Sequence, residues 1–237
     1  MAPSSPQVKL VPWDFTSPEH VERLIQQRIH CGWDSERVES WRPKQESGEF
    51  NLQWIVLSDD DPLKDDKVLK HTSEYPSESK LLQDTALSFG GKPRIIPLPQ
   101  ASFIPVGHIC LGPTPAHYDD PKEPFAKGSY WISNFYVSRA VQSSGLGRAA
   151  MDTAERIATS EPLNARLLGL NAINKEDPDC EEKYKALNLP IPPFSNQDWY
   201  ERRGYKLYMD IPKAFSKTDS TGKIWFWDAV CLKKTIV

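Results

Sequence analysis

The sequence predicts a single α/β domain built around a mixed sheet, and three observations carry that expectation. Segments with strand composition and segments with helical periodicity follow one another as strand, helix, helix, strands, then strand–helix–strand–helix–strand–strand. The run "ARLLGLNAI" (165–173) is apolar without alternation, as in a central strand covered on both faces. The stretch "YVSRAVQSSGLGRAAMDTAERIA" (136–158) joins an aromatic strand to an amphipathic helix through a short polar turn holding two glycines.

The elements follow in order. Residues 1–7 form a Pro/Ser-rich tail, and "VKLVPWDF" (8–15) is a strand. A helix starts after Thr16 or Ser17, with Pro18 at its first position and Glu19 in its first turn. Val21, Leu24, Ile25, Arg28 and Ile29 form its mainly apolar stripe, and Gly32 ends it. A second, short helix is expected from an N-cap at Ser35 to a stop at Pro43, followed by the strand "FNLQWIVLS" (50–58). Residues 59–100 carry Asp runs, a Gly-Gly pair and several prolines, and are expected to be a long solvated insertion. "DDDPLKDD" within it lacks the glycine and terminal glutamate of a calcium loop. "ASFIPVGHICLG" (101–112) and "SYWISNFYVS" (129–138) are further strands. The helix after the glycines turns Leu146, Ala150, Ala154, Ile157 and Ala158 inward, and Arg148, Asp152, Glu155 and Arg156 outward. After 165–173, residues 175–197 are a second irregular insertion. "DWYERRGY" (198–205) is a short helix closed by Gly204, and "KLYMDI" and "KIWFWDAVCLKK" are closing strands. The domain so expected spans 1–237, with no internal repeat.

Composition narrows the function. Over 237 residues, 39% are hydrophobic and 26% charged, which suits a globular chain with a real core. A net charge of −3 provides no electrostatic footprint for nucleic acid or an anionic membrane. Four scattered cysteines without a CxxC pair disfavour zinc and a disulfide framework, and fit a reducing compartment. "MAPSSPQVKL" lacks the basic-then-apolar pattern of a secretory signal, and no apolar run approaches the ~18 residues of a membrane span. The expectation is a soluble protein of the cytoplasm, with the nucleus left open.

The glycine turn carries the chemistry. Glycine builds helices poorly, so Gly145-Leu146-Gly147 at a helix start implies a close approach to the backbone. The first N–H groups of a helix lack internal partners and, with the macrodipole, favour an anion. No GK[ST] follows, and Ala150 breaks the dinucleotide fingerprint. On the turn alone, a tight helix cap remains an equal reading. The wider pattern "FYVSRAVQSSGLGRAA" resembles the acyl-CoA signature of the GNAT superfamily of N-acetyltransferases, with Gln142, Gly145 and Gly147 at its defining positions. "LLGLNAIN", ending at Asn174, is similar to that family's next core strand. "WYERRGY" is similar to its later helix element, with Tyr200, Glu201, Gly204 and Tyr205 in register. The family has fewer residues between that Asn and Tyr than the stretch 175–197 supplies.

The resemblance implies a mostly antiparallel twisted sheet flanked by helices, with a V-shaped split between its central strands. It implies acetyl-CoA as acyl donor and no metal. The diphosphate would rest on N–H groups of Ser143, Ser144, Gly145, Leu146, Gly147 and Arg148, with Gln142 shaping the loop. Backbone groups of Tyr136, Val137 and Ser138 would pair with the pantetheine arm, and the N–H of Val137 or its neighbour would polarise the thioester carbonyl. Asn174 belongs to the same binding set, and Tyr200 is the implied proton donor to the thiolate. The acceptor is an unidentified amine: a polyamine, small amine, amino sugar, antibiotic or protein terminus. Nucleic acid and membrane are not expected as partners, and a homodimer is left open. For the base, Ser133-Asn134-Phe135 offers no acid, and His108, Glu46 and Glu49 are weak candidates. Trp33 and Trp41 read as packing first and acceptor-pocket wall second. A non-catalytic acyl-CoA-binding module, or an unrelated phosphate-binding α/β protein, are the competing readings.

Overall fold

The computed structural model describes residues 7–120, 122 and 124–236, so nearly all of the Pro/Ser-rich tail lies outside the described residues. The chain divides into two compact units, Met1–Pro113 with Ile132–Ala165, and Thr114–Trp131 with Arg166–Val237.

In the first unit, β1 (Val8–Pro12) pairs antiparallel with β2 (Asn51–Leu57), which pairs antiparallel with β7 (Pro105–Pro113) in the register Trp54↔His108. Between β1 and β2 lie α1 (Pro18–Cys31) and α2 (Val38–Ser47). The Ser17 hydroxyl caps α1 by accepting from the His20 N–H, Pro18 needs no acceptor at the first turn, and Gly32 closes the helix at φ +89°. Val21 and Leu24 enter a core with Trp13, Trp41, Leu52 and Trp54, whereas Ile29 of the expected stripe is 59% exposed.

Two expectations are corrected here. Ser35 does not cap α2, because a 3-10 turn (Ser35–Arg37) precedes it, and Pro43 does not stop it; the helix ends at Gly48, φ +77°. Pro43 and Glu39 are both exposed, so water can take the Glu39 carbonyl that loses its i+4 donor. Residues 59–100 are not simply a solvated loop. They hold α3 (Lys64–Glu74), β3 (Leu82–Gln83), β4 (Ser88–Phe89) and β5 (Lys92–Pro93). β4 pairs with β5, and β3 pairs with β6 (Ser102–Phe103). The Arg94 guanidinium clamps both oxygens of Asp84 at 2.6 Å each. The buried residue of α3 is His71, a polar face that apolar periodicity does not report.

Strand β8 (Ser129–Val137) runs through both units. After it, α4 (Leu146–Ala158) buries Leu146, Ala150, Met151, Ala154 and Ala158 and packs on β1 and β7.

In the second unit, β9 (Leu167–Ile173) pairs antiparallel with β11 (Ile224–Thr235), which pairs antiparallel with β10 (Lys206–Thr218). β10 extends well beyond "KLYMDI" because β11 partners it out to Thr218↔Ile224, and Asp219 ties the turn by accepting from the N–H groups of Thr221 and Lys223. The segment 175–197 is also corrected. It contains α5 (Cys180–Ala186), held by the Lys183–Asp177 pair at 2.7 Å and by Tyr184 edge-on to Trp227. Next, α6 (Asn196–Arg202) is capped by Ser195, closes at Gly204 with φ +88°, and packs on β9 and β11.

The hydrogen-bonded order β1-β2-β7-β8-β9-β11-β10 makes a mixed, mostly antiparallel sheet of seven strands with helices on it. No helix among the described residues is long and apolar enough to cross a membrane.

Candidate active site

The first unit presents the end of β8 and the loop into α4. Asn134 takes φ +49° inside β8, in the left-handed region that asparagine tolerates. Gly107 of β7 lies so close to β8 that a Cβ there would run into the Tyr136 carbonyl oxygen and come within 3.0 Å of Val137 Cα. The Ser138 N–H donates to the Val106 carbonyl at 2.8 Å, and Ser138 is fully buried. That donor is therefore not available to a pantetheine arm, which corrects the expectation for Ser138.

Beyond a 3-10 turn at Arg139–Val141, the Gln142 Nε2 donates back to the Val137 carbonyl at 3.0 Å, and the Ser144 hydroxyl donates to the Val141 carbonyl. Ser143 at φ +64° and Gly145 at φ +84° place two left-handed residues in the turn, the kind of backbone that forms anion-binding nests. Ala149 is the first residue of the new helix to donate, to the Gly145 carbonyl at 3.0 Å. Among the described residues, the N–H groups of Ser143, Ser144, Gly145, Leu146, Gly147 and Arg148 have no protein acceptor. Six unpaired donors at a helix start are what an anion with many oxygens requires. The Arg148 side chain is exposed beside them.

Beneath β8 lies a polar cluster that the sequence reading missed. Glu78, just after α3, is fully buried. One oxygen meets His30 Nδ1 at 2.7 Å; the other accepts from Gln27 Nε2 at 2.9 Å and lies 3.3 Å from His71 Nε2. Nδ1 of His71 meets the Ser138 hydroxyl at 2.8 Å. Burial raises the pKa of Glu78, but the adjacent His71 and the bonds from Gln27 and His30 together outweigh it, so the carboxyl is held below its ordinary range. The only prior signal was a glutamate and a histidine inside a segment otherwise rich in solvated charge.

The weaker base candidates are engaged elsewhere. His108 is fully buried, with Nδ1 2.8 Å from Gln27 Oε1 and Nε2 3.5 Å from the Arg28 guanidinium. Burial, with the Arg28 charge, drives its pKa well below the ordinary value, so it is a neutral core residue. Glu49 is exposed and pairs with Lys44 at 3.3 Å, and Glu46 is exposed. Trp41 is a core residue with the Arg28 guanidinium 5.6 Å from its ring, and the Trp33 carbonyl accepts from Arg28 Nε.

The second unit holds Tyr200 and Asn174. Tyr200 is buried on α6, edge-on to Trp199 and Tyr205, and its hydroxyl has no hydrogen-bond partner among the described residues. Burial raises its pKa, with Arg203 acting weakly the other way, so it stays a proton donor at neutral pH. The Asn174 Oδ1 accepts from the Glu176 N–H at 2.8 Å, and its own N–H donates to the Asp228 carbonyl, so it organises the turn after β9. Glu201 pairs with Lys175 and accepts from Gln197. No cluster among the described residues could hold a metal ion.

Residues 66–179 match the model of the Acetyltransferase (GNAT) family. The structure resembles a GNAT-family protein from Desulfovibrio desulfuricans with a TM-score of 0.52 at 14% identity, covering 97% of this chain and 99% of that one. It resembles aminoglycoside 6'-N-acetyltransferase from Enterococcus faecium with a TM-score of 0.51 at 14% identity, covering 97% of each chain. It also resembles Arabidopsis thaliana NAA60 in complex with acetyl-CoA, with a TM-score of 0.51 at 12% identity, covering 97% of this chain and 98% of that one. At these identities the likeness is one of fold. No curated protein matches the chain by sequence.

Proposed function

We propose that the chain, whose residues 66–179 match the GNAT acetyltransferase family model and whose fold resembles solved GNAT structures, transfers an acetyl group from acetyl-CoA to an amine by direct attack. The observation that carries this reading is the row of unpaired N–H groups from Ser143 to Arg148. The diphosphate of acetyl-CoA sits on that row, with Gln142 holding the loop to the end of β8 and Arg148 adding positive charge. The pantetheine arm runs along the backbone of Tyr136 and Val137, and the Val137 N–H polarises the thioester carbonyl. The acceptor enters as an ammonium with a pKa near ~10 and must lose a proton before its nitrogen can attack. The carbon–nitrogen bond forms, the carbon–sulfur bond breaks, and Tyr200 gives its proton to the departing thiolate. The proton leaving the new amide nitrogen restores the tyrosine, so the sum is amide, thiol and one proton released. Asn174 is the remaining member of the proposed binding set, and its Oδ1 holds the turn after β9.

The test pairs calorimetric titration of acetyl-CoA with CoA release in the presence of spermidine, tyramine, kanamycin and a short peptide with a free N-terminus. Binding with release on at least one amine is the expected result. Binding with release on none would move the reading to a non-catalytic acyl-CoA-binding module. Affinity for free nucleotides without affinity for acetyl-CoA would remove the family chemistry altogether.

A further inference from the structure

Resting on that transferase reading, we propose that His30, oriented by Glu78, is the general base that takes the proton from the acceptor amine. His30 sits in the last turn of α1, with its Nδ1 2.7 Å from the Glu78 carboxylate. An ionised carboxylate only accepts hydrogen bonds, so Nδ1 carries the imidazole hydrogen and Nε2 is left with its lone pair. The His30 ring lies against Tyr75, centroids 4.3 Å apart and planes 34° from parallel, which fixes the direction of Nε2.

Exposure selects this residue from its cluster. Glu78 and His71 side chains are 0% exposed and Gln27 is equally enclosed, whereas the His30 side chain is 27% exposed. It is the histidine of this group that a solute can touch, backed by a carboxylate that no solute can reach. The cluster is also tied to the proposed reaction strand. Glu78 lies beside His71, and His71 holds the hydroxyl of Ser138, the residue after Val137. Other charged or titratable groups around the dyad are Tyr75 and Glu74 from the α3 side and Tyr136 of β8. Arg139 adds a donor to the Cys31 carbonyl, Cys31 adjoins His30 on α1, and Arg23 carries a charge felt by Glu78.

The step balances simply. The ammonium gives one proton to His30 Nε2, the imidazolium is stabilised across its other nitrogen by the Glu78 carboxylate, and the freed amine attacks the thioester. Solvent then takes the proton from His30.

The decisive variant is His30→Gln, assayed with the best amine of the panel from pH 6 to 10. The expected result is a loss of kcat/KM on the order of 100-fold at pH 7. That loss should shrink towards pH 10, where the amine frees itself, while acetyl-CoA affinity and Tm stay unchanged. Equal loss at every pH, or unchanged activity, overturns the role of His30 while leaving the transferase reading intact. Wild-type protein that binds acetyl-CoA yet acetylates none of the amines overturns that reading, and this assignment with it. Should His30→Gln fail to fold, imidazole nitrogen–carbon correlation spectra of the wild-type chain decide. An imidazole hydrogen on Nδ1 facing Glu78 is expected, and an Nδ1 without a hydrogen overturns the proposal.

Discussion

Replacing Gly145 by alanine separates the backbone argument from any side-chain argument. A Cβ at this position would lie 3.3 Å from Gln7 Oε1, the movable end of a side chain, so space is not the obstacle. The obstacle is φ at +84°, a left-handed conformation that costs a residue with a Cβ about 1–2 kcal/mol. For a domain of this size, Tm should fall by roughly 2–8 °C in calorimetric melting. If alanine instead relaxes to negative φ, the N–H row turns away from a common centre. Each lost bond between an N–H and a phosphate oxygen is worth about 1.5–3 kcal/mol, or roughly 10- to 150-fold in acetyl-CoA Kd. The expected outcome of Gly145→Ala is therefore a lower Tm together with at least a tenfold higher Kd by titration calorimetry. Gly145→Asn should be milder, because asparagine tolerates the left-handed region. A Gly145→Ala protein with wild-type Tm and wild-type affinity would refute the reasoning.

Gly107→Ala places a methyl group against the Tyr136 carbonyl, a backbone atom that cannot swing aside, and overpacking of this kind costs about 1–3 kcal/mol or more. Its Tm should drop by several degrees, and an unchanged Tm would mean that β7 and β8 are not so closely apposed. Tyr200→Phe should lower kcat at least tenfold while acetyl-CoA Kd stays within twofold; equal turnover would leave the hydroxyl without a catalytic role. Burial lowers the pKa of His20 and of His108, so the unfolded chain binds protons there that the folded chain refuses. Stability from both is present above their unfolded pKa near ~6.5 and is lost as pH falls below it, by up to about 1.4 kcal/mol per histidine per pH unit. Melting followed from pH 7 to pH 5 should show Tm falling steadily, and His108→Gln should flatten that slope; a Tm independent of pH over this interval would contradict the burial argument.

What the sequence made legible follows from which signals are local. The Ser17-Pro18 start and Gly32 end of α1 and the Ser143–Arg148 turn are set by residues within a few positions of one another, so the chain itself displays them. Helix α3 was hidden because its buried residue is His71, and the true end of helix α2 was missed because Pro43 falls where an exposed carbonyl can be hydrated. Helix α5 was hidden because a charged seven-residue segment is held by the Asp177–Lys183 pair. The Glu78 cluster was the least visible feature. Its members come from α1, from α3 and the segment after it, and from the residue that follows β8, and their meaning as a group exists only once these elements are packed. Ser138 illustrates the same limit: the strand end was legible, but not that its N–H is already donated to Val106.

The account stands on the N–H groups of residues 143–148 being the seat of the diphosphate. Amide nitrogen–proton correlation spectra recorded while acetyl-CoA is added test this directly. The largest downfield proton shifts should fall on Ser143 through Arg148, and should vanish when acetyl-pantetheine, which lacks the diphosphate, replaces acetyl-CoA. Shifts concentrated elsewhere, with these six amides unmoved at saturation, would contradict it.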